Sequence, residues 1–207
     1  TGGNSSRATG GMNAAKTVYQ DSNTWSAAMD TAVENTLKSA KETYPDLAEL
    51  TEKVEEAYAA YKANPEGYFD STDLFALDTL IGGHALNDPD LVDTLTKNSA
   101  EAIDWLETKG AVLHDVGSFG GATVRRIHRP VNAEGKTIAV GSYIVEKLTS
   151  AIADNEKIDL RLNSRVTELL VEDGAVKGVR VSTEDGEYTV SASAVILATG
   201  GFGADLD

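Results

Sequence analysis

Three stretches of this chain hold residues whose types and spacing suit ligand chemistry. Gly2-Gly3-Asn4-Ser5-Ser6 combines backbone N–H groups, hydroxyls and small side chains without bulk, the makings of an anion cradle. Near the other end, the apolar run Ala194-Val195-Ile196-Leu197-Ala198 leads straight into Thr199-Gly200-Gly201. A buried strand ending in small residues places free N–H groups at the carboxyl edge of a sheet, where ligands sit in open α/β folds. Each glycine-rich segment taken singly is more often a turn than a site. Between them, residues 111–136 gather Arg125, Arg126, Arg129 and Lys136 against only Asp115 and Glu134, with His114 and His128 alongside. The arginine fork matches carboxylate or phosphate oxygens, so this island suits a bound anion. Equally, its arginines can pair with the chain's own carboxylates and serve the fold.

The rest of the chain sets that island apart. Thirty-three Asp and Glu against eighteen Lys and Arg give a formal charge of −15, which repels a nucleic-acid backbone and an anionic membrane surface alike. With 41% hydrophobic and 25% charged residues, the composition is that of a folded globular protein. The absence of Cys removes disulfides, thiolate metal sites and Cys nucleophiles, so redox chemistry would need a bound cofactor. No apolar run approaches the ~20 residues that cross a bilayer, and no direct membrane span is expected. Thr1 opens the chain without an initiator Met or a signal-peptide pattern, so the sequence reads as a processed or excised piece.

Local signals place the elements that would position these residues. Ser22 or Thr24 can cap a helix through Trp25, Met29 and Val33 to about Tyr44, where Pro45 stops it. Asp46 and Glu49 form a capping-box pattern for a second helix ending near Asn64-Pro65. The two make a helical hairpin. Ser71 caps a short helix from Thr72 to Leu80, and Asp88-Pro89 starts a longer one whose apolar side is Leu91, Leu95, Ala102, Ile103 and Leu106. Gly110 allows a left-handed exit into a short strand, Ala111 to His114, and a further helix covers Gly141 to about Ala153. Then the pattern turns to β: strands at Ile158–Leu162, Val166–Val171, Val176–Ser182 and Tyr188–Val190, with turns at Asp173-Gly174 and Asp185-Gly186. The expectation is an α/β fold with a helical segment over about 22–110 and a β-meander over about 158–191, ending in a parallel strand at Ala194–Ala198.

Four segments in order carry more information than any one of them. Gly2-Gly3-Asn4-Ser5-Ser6-Arg7-Ala8-Thr9-Gly10-Gly11-Met12-Asn13-Ala14-Ala15, then Gly120-Gly121-Ala122-Thr123-Val124-Arg125-Arg126-Ile127-His128-Arg129-Pro130, then Asn163-Ser164-Arg165-Val166, and finally Val195-Ile196-Leu197-Ala198-Thr199-Gly200-Gly201-Phe202 resemble the soluble fumarate reductase flavoproteins. That family includes urocanate reductases and, more distantly, succinate dehydrogenase flavoprotein subunits and aspartate oxidases. The resemblance covers essentially the whole chain. It implies part of a Rossmann-like FAD-binding domain with a helical insertion, in an enzyme that reduces the C=C bond of fumarate or a related unsaturated carboxylate by hydride transfer from flavin N5. The alternatives are a urocanate or other enoate reductase, or an inactive, cofactor-free folding core of such an enzyme.

Residue by residue, the resemblance implies that Gly2, Gly3, Asn4, Ser5 and Ser6 lie along the FAD pyrophosphate and ribityl chain. Gly10, Gly11 and Met12 would lie against the isoalloxazine ring, Val166 would meet the adenine through its backbone, and Ala198, Thr199 and Gly200 would form a turn beside the cofactor. Thr9, Gly10 and Phe119 are the implied substrate contacts, although a Phe between glycines is as readily core. His128, Arg126 and Arg129 are implied to be structural or cofactor-proximal, and no catalytic residue is assigned. His84 and His114 carry no motif.

Departures from the family matter too. Asn4 stands where membrane-bound relatives carry a flavinylated His, so noncovalent FAD is expected. The Gly-rich βαβ unit that binds the pyrophosphate on a helix N-terminus would precede Thr1, and the capping domain that supplies the proton-donating Arg would follow Asp207. These are the expected partners from the remainder of the polypeptide. Without them the chain is expected to be inactive alone and to hold FAD weakly or not at all.

Overall fold

The computed structural model describes residues 3–201. The chain divides into two units, one Ser5–Thr149 and the other Thr1–Asn4 with Ser150–Asp207. In the first unit, α1 spans Ala27–Thr43 and α2 spans Ala48–Ala63. Proline has no N–H with which to continue α1, so Pro45 instead opens a 3-10 turn, Pro45–Leu47, between the helices. That turn overrides the expected capping box. Asp46 lies inside it, and Leu47 takes the N-cap place of α2 with no side-chain bond. The N-cap of α1 is likewise Ser26 and not Ser22 or Thr24, because Ser22 closes an earlier 3-10 turn, Val18–Ser22. The helical hairpin itself forms as expected: Val33, Leu37 and Ala40 of α1 meet Val54 and Tyr58 of α2 in a core joined by Tyr68, Phe69, Leu74 and Leu77.

Both expected caps of the next two helices are made. Ser71 Oγ accepts the Leu74 N–H at 2.9 Å at the head of α3, Thr72–Gly82. Asp88 Oδ1 accepts the Asp90 N–H at 3.0 Å and the Leu91 N–H at 3.4 Å at the head of α4, Pro89–Glu107. Such caps contribute about 1 kcal/mol each. The face of α4 differs from expectation. Val92, Thr96, Ser99, Ile103 and Leu106 are its buried stripe, while Leu91 and Leu95 remain 69% and 53% exposed. Polar residues belong in that stripe because Ser99 Oγ accepts the Ala15 N–H at 3.2 Å and donates to the Thr96 carbonyl at 2.9 Å.

Gly110 leaves α4 at φ +79°, the left-handed exit the sequence suggests. The strand follows later than expected. Ala111 and Leu113 are buried in the core beside Ile103 and Leu106, and ladder pairing begins only at β2, Asp115–Gly117. A small antiparallel sheet forms in the order β1, β3, β2, with β1 at Met12–Asn13 and β3 at Ile127–Arg129. Helix α5 spans Val140–Ala153.

The second unit contains the meander of β4 (Arg165–Glu172), β5 (Ala175–Thr183) and β6 (Gly186–Ser191), paired antiparallel in that order. Asp173 and Gly174 sit at φ 50° and 78°, two left-handed residues that turn β4 into β5 with the twist of the strands. Two expected strands are not formed. Ile158, Leu160 and Leu162 lie about half exposed and pair with no strand among the described residues. The run Ala194–Ala198 is also unpaired, with Ile196 93% exposed. Its apolar sequence suits burial on both faces, but a strand needs neighbours for its backbone bonds, and the described residues supply none there. The mixed helix and sheet class therefore holds, while both described sheets are antiparallel.

Candidate functional site

Strand β3 is the axis of the site. On one side of it Gly11 approaches so closely that a Cβ there would meet the His128 carbonyl oxygen at 2.5 Å and Ile127 Cγ1 at 2.6 Å. Only glycine permits this, and the contact sets Met12 opposite His128 in the ladder. Gly10 is exposed, next to Ile127 Cδ1.

The preceding residue, Arg126, is fully buried, and its charge is met on two sides. Its Nη2 and Nε donate to Asp70 Oδ1 and Oδ2 at 2.7 and 3.1 Å, and its Nη1 donates to Asp78 Oδ2 at 2.6 Å. Burial opposes that charge, but the two carboxylates outweigh it and hold the Arg126 pKa above its ordinary value. Phe75 faces the guanidinium at 4.7 Å. Asp70 uses its remaining acceptor capacity on the Ser71 N–H at 2.9 Å and on Gln20 Nε2 at 2.8 Å. The basic island therefore resolves at Arg126 as a structural network: that guanidinium is taken by the chain's own carboxylates. Arg125 donates to Asn23 Oδ1 at 2.8 Å.

His128 is also fully buried. Its Nδ1 lies 2.9 Å from the Arg126 carbonyl oxygen, which can only accept, so Nδ1 carries the proton and Nε2 accepts from the Thr17 hydroxyl at 2.7 Å. Burial pushes its pKa below the ordinary value, with the Arg126 and Met12 backbone pulling weakly the other way. A neutral ring with both nitrogens engaged anchors β3. His114 stacks on Tyr19 at 3.9 Å, and Tyr19 donates to Glu107 at 2.6 Å, a bond that, with burial, lifts the tyrosine pKa to about 12.

The buried imidazole has a consequence for stability. Below its ordinary value of 6.5 the unfolded chain binds a proton that the native ring refuses, so acid favours unfolding. Stability is expected to be level above that pH and to fall by up to ~1.4 kcal/mol per pH unit beneath it, until the native ring protonates too. Urea midpoints of the wild type and of His128→Asn between about pH 7.5 and about pH 5.5 test this. A wild-type profile as flat as the variant's would contradict it.

Beside this sheet lies a cleft of about 480 Å³ between β1, α3, α4 and the loop after β2, lined by Met12, Asn13, Phe75, Asp78, Thr79, Gly82, Leu95, Phe119, Gly120, Gly121 and Arg126. Its volume is in the range of small-molecule sites. The exposure of Leu95 and the 37% exposure of Phe119 are explained by their place in its wall. Asn13 Oδ1 is buried with no hydrogen-bond partner among the described residues, leaving one acceptor unspent on the cleft's lining. The cleft thus brings together Met12 and Phe119, one implied cofactor contact and one implied substrate contact, with Arg126 of the basic island. Ser5 and Ser6 form a 3-10 turn in the same unit, and Thr9 is exposed.

The remaining candidates belong to the second unit. Gly3 and Asn4 are exposed, with Gly3 at φ +46°. Val166 is 51% exposed on β4, and Ala198, Thr199 and Gly200 are exposed outside any strand. Gly2 lies outside the described residues, as does Phe202. Sequence reasoning missed the supports of the site: Asp70, Asp78, Gln20 and Thr123. One signal was available, since Asp78 is the single charged residue in the apolar stretch Leu74–Ile81.

Comparison with known proteins assigns the class of domain. Residues 57–207 match the family described as FAD binding domain; the chain belongs to that family, whose cofactor is FAD. Its relatives include proteins named fumarate reductase and urocanate reductase. It is 47% identical over 136 residues to a fumarate reductase (cytochrome) of Shewanella frigidimarina, a match covering 64% of this chain and 23% of that protein. Against a urocanate reductase of Eggerthella lenta it is 34% identical over 147 residues, covering 69% of this chain and 23% of that one. The solved open conformation of a flavocytochrome c3 fumarate reductase superposes with a TM-score of 0.68 and 33% identity over 97% of this chain and 27% of that chain. The chain thus spans about a quarter of the length of these relatives.

Proposed function

We propose that this chain is the FAD-binding portion of a flavin-dependent reductase that saturates the C=C bond of fumarate or a related unsaturated carboxylate. The observation that carries this reading is the cleft in which Met12 and Phe119, from two separate motifs, line one cavity within a chain of the FAD-binding family. Its residues fit a flavin. Met12 and Phe119 offer apolar surface to a planar ring, the loop glycines Gly120 and Gly121 leave its mouth free of side chains, and the unpartnered Asn13 Oδ1 is an acceptor for a ring N–H.

When bound, FAD supplies the hydride through N5, and the chain's own part is binding, orientation and exclusion of water. Gly10, Gly11 and Met12 would hold the ring; Gly2, Gly3, Asn4, Ser5 and Ser6 would follow the pyrophosphate and ribityl chain with N–H and hydroxyl donors. Val166 would meet the adenine, and Ala198, Thr199 and Gly200 would turn beside the cofactor. Thr9, Gly10 and Phe119 would face the substrate. Asn4 carries an amide, which is too weak a nucleophile to bond the flavin methyl group, so the FAD is held noncovalently. The remainder of the polypeptide supplies the Gly-rich βαβ unit, the capping domain and the proton donor.

Reduction of a panel of enoates by the full-length polypeptide, with reduced viologen as electron source, tests the proposal. Fumarate, urocanate and acrylate belong in the panel, since the relatives include enzymes named for each, among them an NADH:acrylate oxidoreductase of Vibrio harveyi. Turnover of one carboxylated enoate well above the others is the expected result. Failure of all of them to reoxidise the reduced protein would overturn it.

A further inference from the structure

We propose that Thr123 and Asp78 are positioning residues for Phe119, fixing the loop between β2 and β3 against the cleft; this rests on the reading that Phe119 meets the substrate. The loop has little structure of its own. Its start is set by Gly117, paired with Ile127 in the β2–β3 ladder. Over the next five residues the described backbone contributes one long hydrogen bond, from the Ala122 N–H to the Phe119 carbonyl at 3.4 Å. Gly120 and Gly121 stand in open space, the latter at φ +91°, and Phe119 is too exposed to be locked by packing.

The far end of the loop is therefore decided by Thr123, and Thr123 is held twice by one carboxylate. Asp78 Oδ2 accepts its N–H at 3.0 Å and Asp78 Oδ1 accepts its hydroxyl. Because that hydroxyl donates to Asp78, Thr36 on α1 donates to it in turn, at 2.6 Å. Asp78 is itself fixed by Arg126 Nη1, which donates to the same Oδ2. Two bonds from one residue set both the position and the direction of the chain as it leaves Phe119. Freed of them, the loop has somewhere to go: a second cleft of about 410 Å³, lined by Gly121, Ala122 and Thr123 together with α1 and α3, lies behind it.

The test uses the full-length enzyme with FAD bound and the enoate it reduces best. Thr123→Val removes the hydroxyl at nearly constant volume and leaves the Asp78–Arg126 pair intact; Thr123→Ser restores the hydroxyl, and Phe119→Ala reports on the residue being positioned. In Thr123→Val, amide exchange over Ser118–Ala122 is expected to rise about tenfold with exchange in β3 unchanged. KM should rise about five- to tenfold with kcat within about twofold, and Thr123→Ser should return both to wild type. Wild-type exchange or wild-type KM in Thr123→Val, beside a raised KM in Phe119→Ala, would overturn the positioning role alone. An unchanged KM in Phe119→Ala would overturn the reading of the cleft and this proposal with it.

Discussion

Replacing Arg126 with alanine is expected to destabilise the protein by about 3–5 kcal/mol. The variant would leave Asp70 and Asp78, whose side chains are 1% and 7% exposed, facing each other's charge without a cation between them. Ordinary partners remain, in the Ser71 and Thr123 N–H groups and the Gln20 amide, but none neutralises a carboxylate. The loss would fall on three segments at once, because Arg126, at the head of β3, is joined to Asp70, just ahead of the Ser71 cap, and to Asp78 in the middle of α3. Arg126→Lys should be only a partial rescue, since one ammonium cannot reproduce a paired contact to Asp70 and a third bond to Asp78. Urea unfolding of the three proteins measures the series. An alanine variant within about 1 kcal/mol of wild type would show the network to be dispensable.

Gly11→Ala is expected to have the second-largest effect, and for a steric reason. Its Cβ would stand 2.5 Å from a backbone oxygen and 2.9 Å from Arg129 Cγ, and a backbone atom in the middle of a three-stranded sheet cannot step aside as a side-chain tip can. Overpacking of this kind costs about 1–3 kcal/mol. Relief comes by moving β1 away from β3, which carries Met12 and Asn13 out of the cleft wall. Two measurements therefore change together: the melting temperature falls and the flavin content of the purified full-length protein falls with it. A variant that keeps its flavin while losing stability would show that the position of Met12 is not what holds the ring.

What the sequence revealed about the fold depended on how local the cause was. Ser71 and Asp88 cap their helices, and Asp173-Gly174 turns its hairpin, because the groups that satisfy each signal lie within three or four residues. The phase of α4 was harder: Val92, Thr96, Ser99, Ile103 and Leu106 recur at helical spacing, but two members are polar, and one of them, Ser99, meets Ala15, far away in the chain. Ile158–Leu162 and Ala194–Ala198 have strand-like residues without strand structure because pairing is a property of two segments, and the second segment is not among the described residues.

The site followed the same division. Met12 and Phe119 were recognisable from their motifs, and they line one cleft. The choice between a bound anion and a structural network at Arg126 was not legible, since nothing in the sequence places Asp70 and Asp78 beside it; only the folded chain does, with Asp78 on α3 and Asp70 just ahead of it. Thr17 and Gln20 were equally silent, because a threonine and a glutamine at a short 3-10 turn carry no mark of burial.

The role proposed for this chain is to help hold a noncovalent FAD. It is tested most directly by the visible absorption spectrum of the purified full-length polypeptide, followed by acid precipitation and identification of the released flavin. The expected result is a yellow protein with stoichiometric flavin, all of it recovered in the supernatant as FAD. A folded, colourless protein that takes up no added FAD would contradict the claim, and flavin retained in the acid pellet would contradict the noncovalent attachment inferred from Asn4.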